Sequence, residues 1–412
     1  WAQVLERFRR SEANTRGADA WHGADGPLSV ADLRHRNPLS ETFIEAAVAA
    51  GFARNDDFNG AAQEGFGWYQ VTQRDGARCS TAKAWLGRAR GRANLEIRTH
   101  ALAQRVLVSG TRAVGVDYRQ RGRLRRAEAG EVILCGGALN SPQLLMLSGI
   151  GPPAQLRAHG IAVRSALDGV GANLQDHLDI CTLQRSTRPI SYDRTNDVAV
   201  AFEFLLHRRG IGTSNIAECG GFVRTRHAVD ERCDLQFHFV PALLDDHGRH
   251  RLDGCGYTVH ACALRPRSRG HLALRSADPA QPVAIHANYL SDPERYDLAM
   301  MIEGVRLSRR IFAQAPFDDV RGTEIFPGID GDDEAALEAF VRRKAETIYH
   351  PVGTCRMGAD EAAVVDAELR VRGIDGLRVA DASIMPTLPG GNTNAPTIMI
   401  AEHAADLMPG QG

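Results

Sequence analysis

Apolar positions in the first ninety residues recur at helical spacing in two places. The first is residues 4–8; the second is residues 40–51, where Phe43, Ile44, Ala47, Val48 and Ala50 form an amphipathic run after Ser40 that stops at Gly51. Gly23-Ala24-Asp25-Gly26-Pro27 separates them as a turn cluster. The pattern then changes to short β-rich runs at 95–99, 104–109, 113–118 and 131–135, with turns at Ser109-Gly110-Thr111 and around Gly130. A sheet region over 94–132 is the expectation.

The run at 131–135 leads into Gly136-Gly137-Ala138-Leu139-Asn140-Ser141-Pro142 and an apolar stretch ending at Gly149. This predicts a strand, a glycine turn and a short helix, with Ser141 as cap, Pro142 at the first helical position and Gly149 as a left-handed terminator. A tight connection with no ligand fits that segment as well as a binding turn does. Residues 161–167 suggest a further strand. Between about 181 and 346, strand-like runs (235–240, 257–264, 270–275, 283–288) alternate with helical ones (198–207, 292–312, 334–345), which predicts a mixed, mainly antiparallel sheet carrying helices. A strand at 377–380 follows. Then comes a helix whose first position is Pro396 and whose apolar stripe is Ile398, Ala401, Ala404, Ala405 and Met408.

Composition narrows the class. A chain of 412 residues suits two or three domains of about 150 residues each. Lys and Arg total 49 against 50 Asp and Glu, so nothing favours nucleic acid or an anionic membrane surface. The basic run 121–126 reads as solvated strand ends or a hairpin turn. Eight cysteines show no metal-ligand spacing, so free thiols in a reducing compartment are expected, and no apolar run reaches the roughly 18 residues of a membrane span. The chain opens on Trp1 with no secretory leader pattern, which reads as a fragment or a processed chain. A glycine-rich dinucleotide fingerprint opening a helix is absent from the first hundred positions; Gly169-Val170-Gly171 lacks the third glycine and is not one.

The chemistry concentrates near the C-terminal end. Two loops there each carry one side chain able to move a proton or hold an oxygen. His350, in Tyr349-His350-Pro351-Val352-Gly353-Thr354-Cys355-Arg356-Met357-Gly358, offers an imidazole whose ordinary pKa is about 6.5. Asn392, in Gly390-Gly391-Asn392-Thr393-Asn394-Ala395-Pro396, offers a carboxamide just before a helix whose positive dipole end favours an anion. Taken singly, most histidines are surface or satisfied core residues and an Asn among glycines is a turn former. A metal site from His350 and Cys355 lacks further ligands at useful spacing. Asp245, Asp246, His247 and His250 read as a polar loop, with a role in gating access left open.

Three segments in order, the His350 motif, Val379-Ala380-Asp381-Ala382-Ser383-Ile384-Met385-Pro386 and the Asn392 motif, resemble the C-terminal part of the glucose-methanol-choline (GMC) oxidoreductases. Gly136 to Pro152 resembles that family's second signature, and Gly169-Val170-Gly171-Ala172-Asn173-Leu174-Gln175-Asp176-His177 its link into the substrate domain. The resemblance implies an α/β fold: a discontinuous FAD-binding domain and a second, α+β, mixed-sheet substrate-binding domain. It divides the chain into a connecting region (1–93), FAD-domain segments (94–177 and 351–412) and a substrate domain (178–350).

It also implies FAD as cofactor, with Ala103 at adenine through backbone atoms and Gly136 in the flavin-domain turn. Asp381 and Ala382 would lie at the ribityl and pyrophosphate portion, and Asn392, Thr393, Asn394 and Pro396 at the flavin ring. His350 and Asn392 would be catalytic, with no metal. The family's N-terminal phosphate-binding βαβ segment is not among these residues, so little flavin is expected on this chain by itself.

The segments around Glu218, Asp246 and Arg267 resemble the bacterial alcohol and choline dehydrogenase branch, nearer its aliphatic-alcohol members. A cationic substrate would want a carboxylate such as Glu218 or an aromatic cage. The function implied is oxidation of a primary alcohol to an aldehyde, with oxygen, quinone or protein as acceptor, in the cytoplasm or associated with a membrane. The competing expectations are a cyanohydrin lyase on the same fold and a cofactor-free, non-catalytic chain.

Overall fold

The computed structural model describes residues 1–250 and 252–408. They divide into two units, each assembled from separated stretches: 1–90, 178–265 and 295–348 form one, and 91–177, 266–294 and 349–412 the other.

The first unit is built on a seven-stranded antiparallel sheet. Six strands lie in the order Arg321–Phe326, Leu178–Ser186, Gly256–Ala263, Leu235–Val240, Cys219–Val223 and Gly65–Trp68, and Glu346–Thr347 also pairs with Leu178–Ser186. Aromatic and β-branched residues are frequent in these strands, and the middle ones are buried throughout except at the half-buried His260, because helices pack on the sheet. Phe43, on the helix Pro38–Ala49, stacks on Phe239 at 4.6 Å, and Tyr257 stacks on Phe317 at 4.9 Å. The helix Tyr296–Phe312 lies so close to the sheet that a Cβ on Gly304 would meet the Ala261 Cβ at 2.7 Å. Glycine is what permits that approach.

In the second unit Val132–Leu134 and Leu377–Val379 form a parallel pair, with residue 377 opposite 132, so two segments that the resemblance puts in one domain are adjacent. Ala101–Ser109, Arg112–Gln120 and Arg123–Glu128 make an antiparallel meander. The core contains Val132, Leu134, Leu145, Met146, Val352, Leu377 and Val379.

Several expectations shift. Residues 1–90 belong with the antiparallel sheet rather than forming a connector, since Gly65–Trp68 is one of its strands. Residues 266–294, expected in the central insertion, belong to the second unit, where Leu272, Leu274 and Val283 enter its core. Residues 95–99 are not a strand: Leu95 and Ile97 are exposed, and no partner strand reaches them among the described residues. Of 161–167 only Ser165–Ala166 is strand. Helix starts also move. The helix Gly137–Leu147 begins before Ser141 and Pro142, placing both inside it, and Asn394–Leu407 begins two residues before Pro396. Along that last helix the buried positions are Ile398, Ile400 and Ala404, while Ala401 and Ala405 are exposed. The basic run 121–126 is a hairpin turn and an exposed strand, as its charge suggested.

Candidate active site

His350 is held by backbone on one side and by a second imidazole on the other. Residues 175 and 352 form an antiparallel bridge, with Gln175 N–H donating to Val352 O at 3.1 Å and Val352 N–H to Gln175 O at 2.9 Å. The His350 N–H donates to Asp176 Oδ1 at 2.9 Å, and the Tyr289 hydroxyl donates to the other oxygen of that carboxylate at 2.5 Å. Tyr349, just before, sits at φ 66°, a left-handed conformation rare for an aromatic residue and a local cost the surrounding bonds sustain. Gly353, just after, is at φ 92°, and a Cβ there would lie 2.5 Å from Asn173 O. Only glycine passes that point.

His350 is 9% exposed. Its Nδ1 is 3.0 Å from Nδ1 of the fully buried His177, and its Nε2 is 3.4 Å from Nδ2 of Asn392. An amide nitrogen only donates, so the Asn392 contact marks Nε2 as the acceptor of the neutral ring. In that arrangement Nδ1 carries the ring proton and faces Nδ1 of His177. This tautomer leaves the lone pair of His350 on the Asn392 side, as a base requires.

Asn392 is exposed and lies two residues before the helix Asn394–Leu407. Thr393, the capping residue, places no side chain on the helix amides, and Pro396 has no N–H. The helix therefore presents uncapped amides and its positive dipole end beside Asn392.

A second group of residues builds the strand–turn–helix. Asp381 accepts from Gly137 N–H at 2.9 Å, from the Ser141 hydroxyl at 2.5 Å and from Ser383 N–H at 2.8 Å; Ser141 in turn accepts from Gly136 N–H at 2.9 Å. Burial and the Asp381 charge raise the thiol pKa of the neighbouring Cys135. Burial likewise pushes the Cys355 thiol far up, so neither thiol is an activated nucleophile.

Comparison with known proteins identifies the family. Residues 1–179 and 266–401 match the N- and C-terminal family models described as GMC oxidoreductase. The chain belongs to the GMC oxidoreductase family. It is 48% identical to an alcohol dehydrogenase [acceptor] of Pseudomonas putida over 99% of this chain and 75% of that one. It is 46% identical to the mitochondrial choline dehydrogenase of Homo sapiens over 100% of this chain and 70% of that one. Among solved structures, pyridoxine 4-oxidase from Mesorbium loti superposes with a TM-score of 0.88 at 30% identity, covering 98% of this chain and 76% of that one. Formate oxidase from Aspergillus oryzae gives a TM-score of 0.91 at 25% identity, covering 99% and 78%.

Within this GMC chain the structure brings His350 and Asn392 together, and gathers Gly136 and Asp381 with Ala382 following. Ala103 lies apart from both groups, exposed on Ala101–Ser109 opposite Tyr118. Asp381 is 4% exposed and committed to three donors, so its carboxylate acts as an internal strut that fixes the Gly136–Gly137 turn. Sequence reading missed Asp176 and His177 as the partners of His350. The signal was present: both close the Gly169-to-His177 motif, which read only as a link because the bridge to Val352 spans more than 170 positions.

Proposed function

We propose that this protein oxidises an uncharged primary alcohol to the aldehyde with FAD as acceptor. The observation that carries the reading is His350 with Nδ1 tied to His177 and Nε2 facing Asn392, beside an uncapped helix start. The names of the relatives, alcohol and choline dehydrogenases, support the reaction class, and modification of FAD is described for the formate oxidase.

The alcohol hydroxyl replaces the loose 3.4 Å contact between Asn392 and His350. Its proton points at Nε2 while the Asn392 amide donates to its oxygen, so His350 removes the proton as the carbon gives up hydride. Flavin supplies the hydride acceptor when bound. Asn392, Thr393, Asn394 and the first turn through Pro396 would hold the ring end, where the helix dipole and open amides favour negative charge. Gly136 and Ala382 would line the cofactor through backbone atoms, and Ala103 would meet adenine the same way.

Glu218, the carboxylate a cationic substrate would want, is already engaged within the first unit. Fully buried, its carboxylate accepts from Asn37 N–H at 2.7 Å, from the Ser40 hydroxyl at 2.8 Å, from the Ser214 hydroxyl at 2.7 Å and from the Tyr192 hydroxyl. Burial and that same carboxylate push the Tyr192 hydroxyl pKa far up. Four donors commit the charge Glu218 would need for a quaternary ammonium.

The test is anaerobic mixing of the FAD-loaded protein with an aliphatic primary alcohol and, separately, with choline. Bleaching of the oxidised flavin band by the alcohol, and weaker bleaching by choline, is the expected outcome. No bleaching by any alcohol, with cyanohydrin cleavage instead, would replace the redox reading with the lyase.

A further inference from the structure

Away from the His350 site, the first unit holds a second concentration of ligating side chains. Asp179 and Cys181 are two residues apart on the strand Leu178–Ser186 and so share one face of the sheet. His260 stands directly opposite Cys181 on one neighbouring strand, and Glu346 directly opposite Asp179 on the other. One oxygen, one sulfur and one nitrogen from Asp179, Cys181 and His260 all lie within 4.8 Å of one another. Asp179 is 2% exposed and Cys181 7%.

Hydrogen bonding does not satisfy this set. Asp179 Oδ2 at 2.6 Å and Cys181 Sγ at 3.1 Å crowd the same nitrogen, Nδ1 of His260. One ring nitrogen carries one proton, so it serves one of them well. The other carboxylate oxygen, Asp179 Oδ1, is buried with no hydrogen-bond partner, the situation folded proteins avoid unless something else fills it. A nucleophilic triad is excluded by the same geometry, because its thiol and carboxylate would sit on opposite nitrogens of the ring. A cation suits carboxylate, thiolate and imidazole at once.

We propose that Asp179, Cys181 and His260 bind one zinc ion, with its fourth position towards Glu346. The mixed oxygen, nitrogen and sulfur donors suit zinc, while a thiolate is a poor ligand for magnesium or calcium. Zinc–ligand bonds of about 2.0–2.3 Å place ligand atoms roughly 3–4 Å apart, so loading requires only a small separation of His260 from Asp179. The thiol proton leaves to solvent as the zinc–sulfur bond forms. Glu346 is also within 4.8 Å of ligand atoms of Asp246 and His247, which adds negative charge on the open side. The ion would clamp two adjacent strands of the antiparallel sheet, Leu178–Ser186 and Gly256–Ala263.

The experiment is a cobalt titration of the FAD-loaded protein after chelator treatment. A thiolate-to-cobalt charge-transfer band should grow in the difference spectrum, saturate at one equivalent and disappear on addition of zinc. Cys181→Ser should abolish the band, Cys233→Ser should retain it, and His260→Asn should weaken binding at least tenfold. No saturable band in the parent protein, or an unchanged band in Cys181→Ser, overturns the site. Should Cys181→Ser fold poorly, X-ray absorption of the zinc-loaded parent decides: one sulfur neighbour at zinc supports the site, and none overturns it.

Discussion

The Nδ1 atoms of His177 and His350 lie 3.0 Å apart, with their rings 87° from parallel. A hydrogen bond at that distance takes one proton, and the ring that donates it decides which nitrogen of His350 carries a lone pair. With His177 as acceptor, the lone pair is on Nε2, beside Asn392. His177 is thus a positioning residue whose value lies in accepting a hydrogen bond. His177→Leu should slow alcohol-dependent flavin reduction roughly tenfold, for a loss of about 1.4 kcal/mol, with FAD content unchanged. His177→Asn, whose side-chain oxygen also accepts, should recover part of that rate. Equal rates in the two variants would reduce His177 to packing.

His350 and Asn392 separate by magnitude. General-base contributions are typically about 10²- to 10⁴-fold, so His350→Ala should slow flavin reduction by that order while FAD stays bound. Asn392→Ala removes one hydrogen bond to an oxygen gaining charge and should cost on the order of 10- to 100-fold. Stopped-flow reduction checks both. A His350→Ala rate equal to the parent's would make the imidazole structural.

Much of this site is legible in the amino-acid sequence. His350 and Asn392 stand out because Pro351 follows the one, a Pro-started helix follows the other, and both lie in segments that resemble the GMC motifs. The pairing of Val132–Leu134 with Leu377–Val379 was expected from the return of segments resembling the GMC flavin domain after the long insertion. What escaped was anything requiring tertiary partners. Residues 95–99 have the composition of a strand, but strand propensity counts only where a neighbouring strand exists. Ser141 and Pro142 carry start signals, yet the helix begins at Gly137 because the carboxylate of Asp381, some 240 positions away, takes up Gly137 N–H and the Ser141 hydroxyl. Residues 1–90 looked like a connector because the strand Gly65–Trp68 is only four residues long and glycine-rich.

His22 makes the stability of the first unit pH-dependent. Its ring is 6% exposed, with Nδ1 3.0 Å from Glu12 and Nε2 3.0 Å from Asp57. Burial works against its charge, but the hydrogen bond to Asp57 and the charge and hydrogen bond of Glu12 outweigh it, and the pKa is raised above the ordinary value. A raised folded-state pKa means tighter proton binding in the folded chain. The contribution is full below the unfolded value of about 6.5 and is lost as pH rises through the folded value. Urea denaturation of the parent and of His22→Gln should therefore differ most at about pH 5.5 and converge on the alkaline side. A gap that widens with pH would contradict the assignment.

Thr354 repairs a defect that Pro142 introduces. Inside the helix Gly137–Leu147, Pro142 has no N–H to offer the carbonyl of Ala138, four residues earlier. The Thr354 hydroxyl donates to that carbonyl at 2.5 Å, and both groups are buried. The motif that carries His350 is in this way fastened to the helix that follows the glycine turn. Thr354→Val keeps the shape but strands a buried acceptor, a loss of about 1–3 kcal/mol. Pro142→Ala restores the helical N–H, so Thr354→Val made in that background should cost much less, and the double-mutant cycle isolates the coupling. Additive effects in denaturant melts would show that Thr354 and Pro142 act independently, and the repair would have to be abandoned.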